Sequence, residues 1–368
     1  MVASGGATET FGSTSRLGIQ KLGLRRVGKL TRSLYSKDSL SLLWNATASP
    51  ALNDLGAFLM NYPTSTTAQT LGDWAYVAIA THFDTVCTHE PEVLKGKDPE
   101  AVHQMRVGMR RLRSALVGFA PALDLPPVIQ CRKIGKVARI LGRLRDLDVL
   151  SETLFNHYAL AISPQEQKHL EAIAPVTRKQ HKQRLKSVRR ALTHKGHYQT
   201  LHTACNQWLA TPTYFPIANA PIALVLADLL APQVSKFLLH PGFFLTPEAA
   251  LTEIEILHDL RKLGKQTRYQ LELFAPFYGD PYHTHIKHIK QIQSVLGDLQ
   301  DSYVLEEFLQ SQLKRPLGEA LPAVMAQLES DRTKSLTAWH SLQQIYHAPQ
   351  ARHELHQAVQ FPLSAAVG

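Results

Sequence analysis

Residues 101–119 read AVHQMRVGMRRLRSALVGF, and the reading of this stretch decides the fold. Val102, Met105, Met109, Leu112, Leu116 and Phe119 recur at the three- and four-residue intervals of one α-helical face. His103, Arg106, Arg110 and Arg113 fall at i, i+3, i+7 and i+10, a stripe along another face of the same helix. The guanidinium groups of that stripe span about 10 Å, at roughly 1.5 Å of rise per residue. Such a row repels itself. It needs an anionic partner, either carboxylates of the protein or a ligand.

The pattern returns at residues 257–274, LHDLRKLGKQTRYQLELF, where His258, Arg261, Lys265 and Arg268 repeat the stripe 155 positions later. The same offset of 155 carries Phe119 to Phe274, and Leu141, Gly142, Asp146 and Leu150 to Leu296, Gly297, Asp301 and Leu305. A constant offset shared by two separate motifs reads as an internal duplication of a helical unit.

HQMRVGMRRLRSAL followed by LGRLRDLDVL, and LHDLRKLGKQTRYQLELF followed by LGDLQDSYVL, resemble the conserved histidine α-helical domain, the CHAD family. The resemblance covers roughly residues 69–350. It implies two related four-helix bundles around a basic central channel, and binding of inorganic polyphosphate. It also makes His103 and His258 the name-giving histidines, and Asp146 and Asp301 the motif aspartates.

Composition agrees with a polyanionic partner without choosing one. Forty Lys and Arg against thirty Asp and Glu give a net charge of +10, before the 18 histidines are counted. The three cysteines, Cys87, Cys131 and Cys205, are far apart and form no CxxC, which reads as buried thiols in a reducing compartment. The best apolar run, Pro221 to Leu230, carries Asp228 and is too short for a membrane span. No signal-peptide core is visible, so the expected location is cytoplasmic, with polyphosphate granules as a possible site of association.

Residues 1–68 are Ser-, Thr- and Gly-rich with scattered Arg and Lys, and are expected to be a mostly disordered basic segment. A partner- or polyanion-binding arm and an organelle transit peptide are the alternatives. From there the expectation is all-α: a CHAD domain over residues 69–350, with a first helical unit at 69–193, a connector at 195–225, a second unit at 226–350, and a tail at 351–368. A first helix runs from Leu71 to about Thr88. Asp98-Pro99-Glu100 supplies an N-cap, an N1 proline and a first-turn carboxylate for the motif helix. Pro121 closes that helix, a third runs from Val128 to about His157, and Ser163-Pro164-Gln165-Glu166 is a capping box for a fourth ending near Leu192. The connector carries a short helix near Gln199–Leu209. In the second unit, Leu226 and Asp228 lie in the first helix, Thr246-Pro247-Glu248 starts the second, Asp280-Pro281 the third, and a fourth runs from about Leu321 to Ile345. The expected architecture is two pseudo-symmetric bundles about a basic cleft.

The third helix of the first unit adds Arg132, Lys136, Arg139 and Arg143, again along one face and with almost no acidic residue between them. A merely solvated face would mix signs at i, i+4. In the second unit this stripe is weaker: Lys287 matches Arg132, Lys290 replaces Gly135, but Gln291, Ser294 and Asp298 stand at the other three positions. The first unit is therefore expected to carry more of the binding. Asp146 and Asp301, one turn beyond, are read as carboxylates that orient the guanidinium groups. His103 and His258 either donate hydrogen bonds to phosphate or pack between helices. His283, His285 and His288 have no helical i, i+4 pair among them and read as a surface cluster, with no metal expected.

No Walker A loop, GxSxG or HExxH is present, and Glu253-Ile254-Glu255-Ile256-Leu257 only approaches the ExExK strand of triphosphate tunnel enzymes. No cofactor is expected. The leading function is non-catalytic polyphosphate binding. A phosphohydrolase or phosphotransferase acting on the same cleft, and a nucleic-acid-binding protein, are the alternatives. The last would call for aromatic residues beside the charges, and only Tyr269 meets that.

Overall fold

The structure is a computed structural model and describes residues 63–160, 162–193 and 197–363. The expectation for residues 1–68 lies, up to residue 62, outside the described residues. Among those described there are twelve α-helices and no strand, and no helix is long and apolar enough to cross a membrane.

The first half holds α1 (Leu71–Lys95), α2 (Pro99–Gly118), α3 (Cys131–Asn156) and α4 (Pro164–Thr193). Local chemistry sets their ends. Thr70 and Asp73 form a capping box at the start of α1, and Gly96, with φ of 68°, ends it in the left-handed conformation. The Asp98 carboxylate accepts from the Glu100 N–H at 2.9 Å, and Pro99 opens α2. Helix α5 (His197–Ala210) carries the chain to the second half. There follow α6 (Ile222–Leu238), α7 (Pro247–Thr252), α8 (Ile254–Leu273), α9 (Asp280–Gln312), α10 (Leu317–Ala320), α11 (Pro322–His347) and α12 (Pro349–Gln360). Helices α2 and α8 begin and end 155 residues apart, Pro99 with Ile254 and Gly118 with Leu273.

The structure corrects the expectations in five places, the first being that α1 runs on to Lys95 and does not end near Thr88. Residues 351–368 are not a tail throughout: up to Gln360 they form most of α12, whose Leu355 and Val359 are buried against α6 and α9. Arg352 ties α12 down by donating to the carbonyls of Tyr346 and Leu238. The helix opened by Thr246-Pro247-Glu248 breaks at Glu253, whose ψ of 47° leaves the helical region, so α8 starts at Ile254. Helix α3 starts at Cys131 rather than Val128, after a turn at Pro127-Val128. His285 is core rather than surface: it is 5% exposed, and its Nδ1 lies 3.2 Å from the Tyr346 hydroxyl.

All six apolar residues of the motif face are at most 3% exposed. They pack α2 between α1 and α3, while α8 packs likewise between α6 and α9. Among the described residues the halves meet at several places, Trp74 against Phe277 among them, and two of these flank the basic faces. At one, Phe119 and Phe274 pack edge to face with centroids 5.1 Å apart, and Gln270 of α8 donates to the Ser114 carbonyl of α2 at 2.9 Å. At the other, Leu154, Leu170 and Ile173 share a core with Leu305, Leu309, Leu321, Val324 and Leu328. Glu166 serves both sides of that second contact. One carboxylate oxygen accepts from the Ser163 N–H and hydroxyl, and the other caps α11 by accepting from the Ala323 N–H at 2.8 Å.

Candidate anion-binding cleft

Two of the contacts between halves bracket the basic faces of α2 and α8. Phe119 lies just past the C-terminal end of α2, and Leu154 near the C-terminal end of α3. Arg106 and Arg110 from α2 lie within electrostatic reach of Arg261 and Lys265 from α8, so residues about 155 apart in sequence form one cluster. The paired helices come close because glycines face the arginines. A Cβ on Gly142 of α3 would stand 3.0 Å from the Arg106 Nε, and one on Gly297 of α9 would stand 3.1 Å from the Arg261 Nε. At both positions a side chain would push the guanidinium aside.

The cluster is short of negative charge. Asp146 reaches Arg106 only at 3.9 Å. Asp301 lies near Arg261 and Lys265, yet loss of hydration raises its carboxyl above the usual range, helped by the charge of Asp146. Burial pulls the Arg110 guanidinium down to about 10, Arg106, Arg268 and Arg261 add to the shift, and Tyr269 opposes it. Lys265 falls furthest, to about 7, by burial and then by Arg261, Arg110 and Arg106. The Arg261 Nε is buried with no hydrogen-bond partner, as is the Nδ1 of His258. His103 and His258 are both lowered, first by burial and then by cations around them, which leaves them neutral near pH 7. The cations are thus held close together, partly stripped of water, and only loosely offset by Asp146 and Asp301.

The other expected binding residues divide into groups. Arg113 lies against α3, its Nη1 3.3 Å from where a Cβ on Gly135 would stand. Arg132, Lys136, Arg139 and Arg143 are all exposed, on the flank of α3 beside the face that Gly135 and Gly142 present to α2. Arg139 Nε donates to the Gly135 carbonyl at 3.2 Å, along its own helix. Lys287 and Lys290 are exposed on α9. Arg268 is engaged inside the protein, paired with Glu272 and donating to the Gln293 Oε1 at 2.9 Å. Glu272 also approaches Arg111, at 4.0 Å.

Two features escaped the sequence reading. The Tyr269 ring carries Arg110 at 4.8 Å and Arg268 at 4.5 Å, a cation–π bridge between the halves that spacing alone does not reveal. Helix α4 is strongly basic: Arg178, Lys179, Lys182, Arg184, Lys186, Arg189 and Arg190 occur with no acidic residue from 172 to 193. Composition by segment carries that signal. Among the described residues no group of three or more His, Cys, Asp or Glu side chains converges as a metal site would require.

A sequence model of the CHAD domain matches residues 77–310, more than half of the chain. Among solved structures, the chain is similar to the CHAD domain from the plant Ricinus communis, with a TM-score of 0.55 and 23% identity over 82% of this chain and 94% of that one. It is also similar to PptA from Streptomyces chartreusis, with a TM-score of 0.57 and 16% identity over 75% of this chain and all (100%) of that one. No curated protein matches. At these identities the two structures speak for the fold, and the match over residues 77–310 speaks for the family: the chain belongs to the CHAD domain family.

Proposed function

We propose that the chain binds inorganic polyphosphate without turning it over, the phosphates lying between α2 and α8. The observation that carries this reading is the convergence of Arg106, Arg110, Arg261 and Lys265, with Asp146 and Asp301 placed too loosely to neutralise them. A polyanion with closely spaced charges relieves that repulsion at every repeat, and arginine offers it bidentate contacts. Asp146 and Asp301 then orient the guanidinium groups. His103, His258, Arg113 and the exposed rows on α3 and α9 extend the contact outward.

Nucleic acid fits less well, because the Tyr269 ring is occupied by two guanidinium groups and is not free to stack on a base. Hydrolysis is the second reading; it would need Asp146 and Asp301, whose charges act on one another, to be drawn onto one divalent cation by the substrate. One experiment separates the three: titration with long-chain polyphosphate, single-stranded DNA and ATP side by side, with orthophosphate release followed in the presence of magnesium. Tight binding of polyphosphate alone, without release, is expected. Sustained release abolished by Asp146→Asn or Asp301→Asn overturns the non-catalytic reading. The reading also puts the chain in the cytoplasm at polyphosphate granules, which imaging of a fluorescent fusion tests.

A further inference from the structure

Helices α3 and α4 leave a groove of about 650 Å³ beside the N-terminus of α2, rimmed by Arg145, Arg178 and Lys182. We infer that this groove is an outlying anion subsite that takes the polyphosphate chain as it leaves the cleft, so that the protein selects long chains over short ones; this rests on the polyphosphate reading above.

Continuity with the cleft comes through His103. Arg145 of the groove wall acts electrostatically on that side chain, as do Arg106 and Arg110 of the cleft, while Glu100 opposes them, so one position on α2 is within reach of both sets of cations. From Arg145 the positive charge continues along exposed positions of α4, Arg178 and Lys182 being one helical turn apart with Lys186 a further turn on. Asp148 and Glu152 also line the groove. Asp148 is held by the protein itself: His181 Nε2 lies 3.1 Å from its Oδ1, and Arg145 and Arg184 are nearby. Glu152 is exposed, as Arg178 and Lys182 are, and its charge subtracts from theirs, so three cations stand against one exposed carboxylate.

The second half argues for the same conclusion by contrast. At the offset of 155, Arg145, Asp148, Arg178 and Lys182 become Gln300, Tyr303, Thr333 and Thr337. There Arg332 lies 3.9 Å above the Tyr303 ring, pairs with Glu306 and donates to Ser302, so the matching space is filled by a satisfied arginine. Of the seven cations between Arg178 and Arg190, only Lys179 has a cationic counterpart, Lys334. A chain of phosphates therefore finds a continuing track on the first half and a closed one on the second.

The test compares Arg178→Gln/Lys182→Gln with the parent, using tripolyphosphate and long-chain polyphosphate as probes. Both residues are exposed, so the variant keeps its fold, which circular dichroism checks. Loss of two exposed contacts, each weakening binding roughly threefold, should lower long-chain affinity about tenfold. The slope of log affinity against log salt should become shallower by about 1.5, while tripolyphosphate binding stays unchanged. Unchanged long-chain affinity in a parent that binds polyphosphate overturns the groove and leaves the cleft standing. Equal losses for both probes overturn it too, because the two cations then act through the general field. A parent that ignores polyphosphate overturns the function and the groove with it.

Discussion

Lys265 should make polyphosphate affinity fall steeply with pH between 7 and 9. With burial and three guanidinium groups holding its ammonium at about 7, Lys265 in the free protein is half neutral at pH 7 and about nine-tenths neutral at pH 8. A phosphate placed against it reverses the local field and restores the proton, returning the group toward its ordinary value of about 10.4. The sign follows: the bound form holds more protons, so affinity is greatest below pH 7 and declines by about a decade per pH unit until the bound amine itself titrates. Between pH 7 and 9 the loss is about 50-fold, roughly 2.3 kcal/mol. Other groups near the cluster do not share this window. His103 and His258 are lowered from 6.5 and already neutral, and Arg110 at about 10 stays charged through most of it.

Titration calorimetry at pH 8 in two buffers of different ionisation enthalpy should count about 0.9 proton taken up per site, with long chains so that terminal phosphates contribute little. Lys265→Arg should bind at pH 9 much as the parent does at pH 6.5, with a flat profile, because a guanidinium stays charged. Lys265→Met should weaken binding at both pH 6.5 and pH 9, with the smaller loss at pH 9, where the bound amine of the parent is still mostly protonated but costs free energy to charge. Affinity that is constant from pH 7 to 9, or proton uptake that survives Lys265→Arg, refutes the reasoning.

Replacing Arg106, Arg110 and Arg113 by Gln should keep helicity and weaken polyphosphate binding by orders of magnitude, at roughly 1.5–3 kcal/mol per lost charge-assisted contact. Changing Arg261, Lys265 and Arg268 should cost less, because Arg268 is already paired with Glu272, yet it should still cost, since Arg261 and Lys265 lie in the same cluster as Arg106 and Arg110; calorimetry of both variants decides, and a loss confined to the first half refutes a shared cleft. Glu166→Ala should lower unfolding free energy by about 1–3 kcal/mol in a urea titration, because it leaves the Ala323 and Ser163 N–H groups without their acceptor. Its hydrogen bonds hold the folded carboxyl below the usual range, so this contribution is present above about pH 4.5 and is lost as pH falls through the folded value.

The parts of this fold that local chemistry dictates were legible from sequence. The buried face of α2 and the Asp98 and Ser163 caps follow from spacing within one or two turns, whereas the helix count does not: nine helices are expected and twelve are present among the described residues. What escaped depends on partners distant in sequence. Helix α12 has only Leu355 and Val359 fully buried, too few to announce a packed helix, and is held by Arg352 reaching back to α6 and α11. Arg268 looks like a copy of Arg113 in the repeat, but Glu272, one turn on, gives it an ion pair that Arg113 lacks, since Val117 stands at the matching position. The depressed amine of Lys265 is invisible in its own helix, because two of the three cations that cause it sit on α2.

The bonds that join the halves have a property in common: each closes a very long loop. Phe119 to Phe274, Ser114 to Gln270, Glu166 to Ala323 and Tyr158 to Asp331 span between 155 and 173 residues. Helical hairpins such as α1–α2 can form from neighbours in the chain within microseconds, whereas these closures must wait for both halves. The cleft is therefore the last thing the chain makes. Until it exists, each half shows an incomplete row of cations and an uncovered Phe, and under the proposed function a polyanion present during synthesis would meet two separate strips in place of one cleft. A ligand that binds only the joined state also adds its binding free energy to the stability of that joint, so unfolding should become slower as well as rarer when polyphosphate is present.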